Sequence, residues 1–238
     1  MKNKKTIEIQ ASKIKWFHQI RLKNDFVTAG LDRSEEKCAN LFIPDNLRGK
    51  SVIDLGCWDG FFSFECEKRG ASVTSVDDFV WRNWETKDRG YNFAHKTLKS
   101  KALKVRCPFE KLHQLHSRKL IAYLKSPKVW PGMGFATLTY DIVLMLGVLY
   151  HAPDPLGYLR AARKLCKEML ILETHVDLLD CARPAIAYYE SDSLNGDSTN
   201  FWGPNTAAVI GMLKDAGFKK IVPKPIFWSN RQAFHAYI

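Results

Sequence analysis

The sequence predicts an α/β chain: a doubly wound seven-stranded sheet, mostly parallel with an antiparallel last strand, behind a helical N-terminal cap. Three observations carry this reading. Short apolar runs at 51–55, 140–146 and 169–175 have the length and continuity of buried strands, and 71–77 alternates like a strand. Helical stretches with legible starts and stops alternate with them, as a parallel sheet with crossover helices requires. The final two strand-like stretches, 219–224 and 232–237, are joined too closely for a crossover, so the last strand reverses direction.

Taken in order, residues 11 to 39 read as helices broken at Thr28-Ala-Gly30, and 45–50 as a turn. Ser51-Val-Ile-Asp54-Leu is the first strand. Phe61 to Arg69 follows as a helix with aromatic side chains for the sheet, stopped by Gly70. Ala71 to Asp77 alternates as a strand and ends in two carboxylates, and 102–106 is a weaker strand. Residues 113–139 exceed an ordinary connection and read as an insertion. After the strand Tyr140–Leu146, Asp154 caps a helix through Cys166 with Pro155 in its first turn. A strand at Met169–His175 and a helix at 206–216 closed by Gly217 complete the pattern.

The 238 residues suit one α/β domain, expected over 46–238 behind a cap at 1–45. Six cysteines without a CxxC pair exclude a disulfide framework or a structural zinc and point to reduced thiols in the cytoplasm. The basic N-terminus lacks the apolar core of a signal peptide, and nowhere do 18 apolar residues run together, so no membrane span is expected. The net charge of +11 is concentrated in a segment at about 81–139. A charge cluster of this kind either steers an anionic partner or is a solvated face.

The chemistry begins at Asp54-Leu-Gly56-Cys57-Trp58-Asp59-Gly60, where the chain turns sharply at the carboxyl end of the first strand and glycine lets the backbone approach a ligand. A dinucleotide site would place glycine where Trp58 stands, so the turn favours a ligand without a pyrophosphate. At the tip of the second strand, the Asp77 carboxylate is placed to accept hydrogen bonds from the ribose hydroxyls of an adenosine, with Asp78 beside it.

DLGCWDGFFSFECEKRGASVTSVD and DIVLMLGVLYHAPDPLGYLRAARKLCKEMLILET together resemble the class I S-adenosylmethionine methyltransferases, in the branch related to the tRNA wobble-uridine carboxymethyltransferases, which share GVLYH. The resemblance implies a Rossmann-like fold with S-adenosyl-L-methionine as cofactor. It further implies that Asp54, Gly56, Trp58 and Gly60 form the cofactor turn, with Gly56 near the methionine part. Asp77, Asp78 and Phe79 would line the ribose and adenine, Phe109 and Glu110 would flank the adenine, and Leu146 and Tyr150 would lie near the transferred group. The lysine and EEQR-like arginine motifs with which the carboxymethyltransferases grip an extra carboxylate have no counterpart here, so ordinary methyl transfer is expected.

Methyl transfer is an in-line displacement at an activated sulfonium, helped by orientation and by removal of the acceptor's proton. His151, at the rim after the fourth strand, suits a general base; Tyr150 and His175 are the other catalytic candidates. Glu173 and Asp177 end the fifth strand in the same crevice, where a carboxylate beside His175 can bind or deprotonate a hydroxyl; together with Asp180 and Asp192 the acids read as capping or solvated groups rather than magnesium ligands, and no metal is expected. Trp16, His18 and Thr28 of the cap can close over the cofactor, and a lobe at about 176–205, with Tyr188, Tyr189 and 200–205, can take the acceptor.

The expected function is methylation of a hydroxyl or amine on a small molecule, a saccharide or natural product, possibly acidic. Modification of tRNA is the alternative, drawn from the family likeness and from Trp81, Trp84, Tyr91 and Phe93 interleaved with basic residues. A cofactor-binding regulatory subunit without catalysis is a third reading.

Overall fold

The computed structural model describes residues 2–108, 111, 139–228 and 230–238. They fall into two compact units, Met1–Arg106 and Cys107–Ile238. The expected insertion at 113–139 lies outside the described residues except for position 139.

In the first unit, helices α1 (Lys2–Ala11) and α2 (Ser34–Leu41) precede β1 (Ser51–Leu55), α3 (Phe61–Lys68) and β2 (Ser72–Asp77). The short α4 (Phe79–Asn83), then α5 (Arg89–Leu98) and β3 (Leu103–Arg106) follow. The strands pair in parallel, Val52 with Val73 and Val76 with Val105. Val52, Ile53 and Leu55 are fully buried beneath α3, whose Phe61, Phe62 and Phe64 are also buried. Burial of each such side chain contributes roughly 2 kcal/mol relative to exposure.

The N-terminal expectation needs correction. Residues 12–33 are not helical apart from one 3-10 turn at Lys23–Asp25, and isolated bridges join His18 to Asp32 and Arg21 to Val27. Thr28 supplies the reason: its Oγ1 donates to the His18 carbonyl at 2.7 Å and accepts from the Ile20 N–H at 2.8 Å. A threonine side chain that satisfies backbone groups ten residues away competes with a helix for them.

In the second unit, β4 (Tyr140–Leu146), a 3-10 turn (Leu149–His151), α6 (Pro155–Leu165) and β5 (Cys166–His175) run in sequence. A two-stranded ribbon of β6 (Ile186–Tyr188) and β7 (Trp202–Pro204), then α7 (Thr206–Asp215), β8 (Lys220–Phe227) and β9 (Arg231–Tyr237) complete it. Strands β4 and β5 are parallel, and β9 is antiparallel to both β5 and β8. The antiparallel last strand is therefore as expected, although β9 lies between β5 and β8. Seven strands make the mostly parallel sheet, in the order β3-β2-β1 in the first unit and β4-β5-β9-β8 in the second.

Both helix caps in this unit are side-chain bonds. Asp154 accepts from the Gly157 N–H, and Asn205 accepts from the Ala208 N–H at 2.8 Å. The buried Asn205 amide also donates to the carbonyls of Cys181 and Arg183 at 2.9 and 2.8 Å, so one side chain starts α7 and anchors the 181–185 loop. Asn205→Ala removes the cap and strands those carbonyls. The expected loss is about 2 to 3 kcal/mol in urea unfolding. A loss below about 0.5 kcal/mol contradicts the assignment.

Candidate active site

The first unit carries the glycine turn. After β1 the backbone takes left-handed conformations at Gly56 (φ 81°), Trp58 (φ 47°) and Gly60 (φ 88°). Glycine adopts these values without strain, whereas Trp58 must be held there. Its backbone N–H donates to Asp77 Oδ2 at 2.9 Å, and its carbonyl accepts from the Trp81 indole at 2.9 Å. The Trp58 ring stacks on Phe17, centroids 3.9 Å apart, with Trp84 edge-on at 5.0 Å. Its indole Nε1 is buried with no partner, an orphaned donor beside the turn.

Asp77 stands at the tip of β2, as expected. Its Oδ1 accepts the Val80 N–H at 3.1 Å, so the carboxylate joins the β1 turn to α4, and each oxygen retains a lone pair. Asp78 accepts from Arg82 and Arg106 at 2.9 and 3.1 Å, while Phe79 is 61% exposed. An orphaned donor, a glycine-built turn, two carboxylates and an open aromatic ring suit a ligand with an amino acid part, a ribose and a flat base. Phe109 and Glu110 lie outside the described residues.

Asp54 differs from its expected place in a cofactor shell. It is buried and accepts from Ser63 Oγ at 2.6 Å, which in turn accepts from Ser75 Oγ at 2.8 Å, a chain bracing β1, α3 and β2. Asp59, not singled out in the sequence reading, accepts the backbone N–H groups of Phe17 and His18 at 2.7 and 3.2 Å and so ties the N-terminal segment to the turn. Trp16 and His18 are buried in that segment. Trp81 and Tyr91 are 3% and 1% exposed, so neither offers a face for stacking RNA bases.

The second unit carries the expected catalytic side chains. Leu146 is buried at the end of β4, and Tyr150 and His151 sit on the 3-10 turn beyond it, ring centroids 4.2 Å apart. The His175 ring centroid lies 6.5 Å from that of Tyr150. His151 Nδ1 faces the Thr199 carbonyl at 2.9 Å and Thr199 Oγ1 at 3.0 Å. A carbonyl only accepts, so Nδ1 bears the proton and Nε2 keeps its lone pair. Burial lowers the pKa of the His151 imidazolium below its usual value, which keeps the ring neutral near pH 7.

Glu173, read from sequence as a group for the acceptor, is committed elsewhere. It is buried in a two-pronged ion pair with Arg231, Nε to Oε1 and Nη2 to Oε2, the latter at 2.8 Å. The Arg231 guanidinium lies 4.7 Å from the centre of the Tyr150 ring, a cation–π contact that sequence reasoning missed because the partners are 81 positions apart. Among the described residues no three metal-binding side chains converge.

Three buried carboxyls beneath the turn are pushed up from an ordinary value of 3.8, in each case mainly by burial: Asp54 to about 7, Asp59 to about 6 and Asp77 to about 6. The folded state therefore holds more protons than the unfolded one between these limits. The stability these groups contribute is complete below the unfolded value and is lost as pH rises through the folded values. Asp54→Asn removes one titrating group. We expect the melting temperature of the variant to fall less than that of the wild type between pH 4.5 and 7.5, and an equal or steeper fall contradicts the assignment.

A family model described as "Methyltransferase domain" matches residues 25–221. The chain is 34% identical over 121 residues to a ubiquinone biosynthesis O-methyltransferase of Nitrosospira multiformis, covering 51% of this chain and 40% of that protein. It is 33% identical over 125 residues to the protein of the same name in Nitrosomonas europaea, covering 52% and 43%. The chain thus spans about two fifths of the length of these relatives. Among solved structures, the N-terminal domain of EvdMO1 with SAH bound is similar at a TM-score of 0.66 and 16% identity, over 98% of this chain and 95% of that one. Magnesium protoporphyrin IX methyltransferase of Synechocystis PCC 6803 with bound SAM is similar at 0.52 and 20% identity, over 85% and 76%. These likenesses concern the fold. Since the matched model spans most of a chain that carries the glycine turn, the acid-tipped β2 and the β4 turn, the protein belongs to the methyltransferase-domain family.

Proposed function

We propose that the protein is an S-adenosylmethionine-dependent methyltransferase acting on a hydroxyl or amine of a small molecule. The observation that carries this reading is the His151 imidazole, neutral, with Nδ1–H held by Thr199 and its Nε2 lone pair available to an acceptor. When bound, the cofactor supplies a methyl group on a sulfonium. Gly56, Trp58 and Gly60 would admit its amino acid part, Asp77 and Asp78 would receive the ribose hydroxyls, and Phe79 would flank the adenine, a role the family resemblance also gives to Phe109 and Glu110, which lie outside the described residues. Leu146 and Tyr150 line the transfer position, His151 Nε2 takes the acceptor's proton, and His175 receives a further polar group of the acceptor.

The lobe at 176–205 takes the acceptor, and residues 1–45 act as a cap through Phe17 and Asp59. The names of the relatives and the SAH and SAM of the structural neighbours support the cofactor and an oxygen acceptor. Kinship with the wobble-uridine branch rests on Gly147-Val-Leu-Tyr150-His151 alone. The buried rings of Trp81 and Tyr91 favour a small acceptor over RNA. No helix among the described residues is long and apolar enough to cross a membrane, and the free thiols of Cys38, Cys57, Cys66, Cys166 and Cys181 fit a reducing cytoplasm.

Two measurements test the reading. Calorimetry with S-adenosylmethionine should show binding that Asp77→Ala weakens at least about 10-fold. With labelled cofactor and catechol, D-fucose and pooled tRNA as probes, label should enter a small molecule, and His151→Ala should lower kcat about 100-fold with the cofactor KM unchanged. Absence of cofactor binding, or label in tRNA alone, sinks the proposal.

A further inference from the structure

A second imidazole in this unit is held as firmly as the first, by groups without a part in the reading above. His175 Nε2 lies 3.0 Å from the Tyr189 hydroxyl, and that hydroxyl makes a very short hydrogen bond to Asp177 Oδ2. Direction follows from counting protons. A phenol has one, a carboxylate can only accept, and so the Tyr189 proton points at Asp177. The hydroxyl oxygen is then left to accept from His175 Nε2–H. The same bond holds the Asp177 carboxyl below its usual range, and burial together with Arg231 lowers the pKa of the His175 imidazolium.

The backbone is built around this chain of groups. Tyr189 N–H donates to the Phe201 carbonyl at 2.9 Å and Asp177 N–H to the Pro204 carbonyl at 3.2 Å, so both side chains lean on the strand that contains Gly203. A Cβ added at Gly203 would stand 2.6 Å from the Tyr189 hydroxyl and 2.9 Å from Asp177 Cβ. The Phe201 N–H in turn bonds the Tyr150 carbonyl at 2.8 Å, and the Trp202 indole bonds the Ala152 carbonyl at 2.7 Å. The segment that positions Tyr189 is therefore fastened to the turn that carries Tyr150 and His151.

We propose that Tyr189, acting with Asp177, is a positioning residue: it locks His175 in the Nε2–H tautomer, so that Nδ1 presents a second lone pair to a donor group of the methyl acceptor. Gly203 is the small residue that leaves room for the Tyr189 hydroxyl. The inference rests on the methyltransferase reading for its role in the reaction, and on geometry alone for the tautomer. His151 shows its Nε2 lone pair and His175 its Nδ1 lone pair, with ring centroids 4.2 and 6.5 Å from that of Tyr150. The two imidazoles then favour acceptors with two hydrogen-bond donors over those with one.

The tautomer is readable without substrate. In the full chain labelled with nitrogen-15 histidine, long-range proton–nitrogen spectra at pH 8 should show His175 protonated at Nε2. Tyr189→Phe keeps the ring and removes the oxygen, and should give the averaged signals of mixed tautomers. Gly203→Ala keeps the tyrosine but displaces its hydroxyl, and should give the same change. Among catechol, D-fucose and pooled tRNA, with the probe that the wild type methylates, Tyr189→Phe should lower kcat about 10-fold with the cofactor KM unchanged. A wild-type His175 protonated at Nδ1, an unaltered tautomer in Tyr189→Phe, or an unaltered kcat overturns the proposal. If the wild type methylates none of the probes, the acceptor reading falls, and the spectra still decide the His175 assignment.

Discussion

The Asp77 carboxylate is the contact on which the first unit's working end depends. It sits at the end of β2, 5% exposed, and its two oxygens accept the backbone N–H groups of Trp58 and Val80. One side chain thereby sets the turn after β1 and the start of α4. Without it, Trp58 would have no reason to keep a left-handed backbone, and its ring would not present a face to Phe17. Burial makes this arrangement costly, since Asp54, Asp59 and Asp77 are all taken from water close together. Hydrogen bonds to each of the three offset that cost in part.

The second unit solves a related problem with neutral rings. His151 and His175 are kept uncharged by burial, and each is oriented through one ring nitrogen so that the other is left as an acceptor. His151 uses the Thr199 carbonyl and hydroxyl; His175 uses Tyr189 and Asp177. Arg231 brings a positive charge close to Tyr150, and its Glu173 partner is fully buried. Removing either member of such a pair leaves an uncompensated buried charge.

Much of the fold was legible because its signals are local. Gly70 and Gly217 end helices, Asp154 begins one, and the apolar runs of β1, β4 and β5 need no partner in sequence to be recognised. The glycine turn and Asp77 could be paired because the β1–α3–β2 unit has a nearly constant length. The N-terminal 12–33 segment was misread as helix, since what shapes it is a bond from Thr28 to His18 and another from Asp59 to Phe17, neither of which leaves a periodic trace. Asp54 was placed against the ligand by its position in the turn, and only the Ser63 and Ser75 hydroxyls show that it braces the strands.

The sequence by itself determined the α/β class, the antiparallel last strand, the glycine turn with its acid, and the histidine after β4, because each follows from the pattern of a short stretch. The tertiary structure alone decided which atoms of those residues are available. Trp58 as a stacked and strained anchor, the tautomer of His151, the Glu173–Arg231 pair and the Tyr189 contact all join positions between 14 and 58 residues apart or depend on burial. Hydrogen bonds between side chains are set by where the backbone returns, and that information is spread over the whole unit rather than written at any one site.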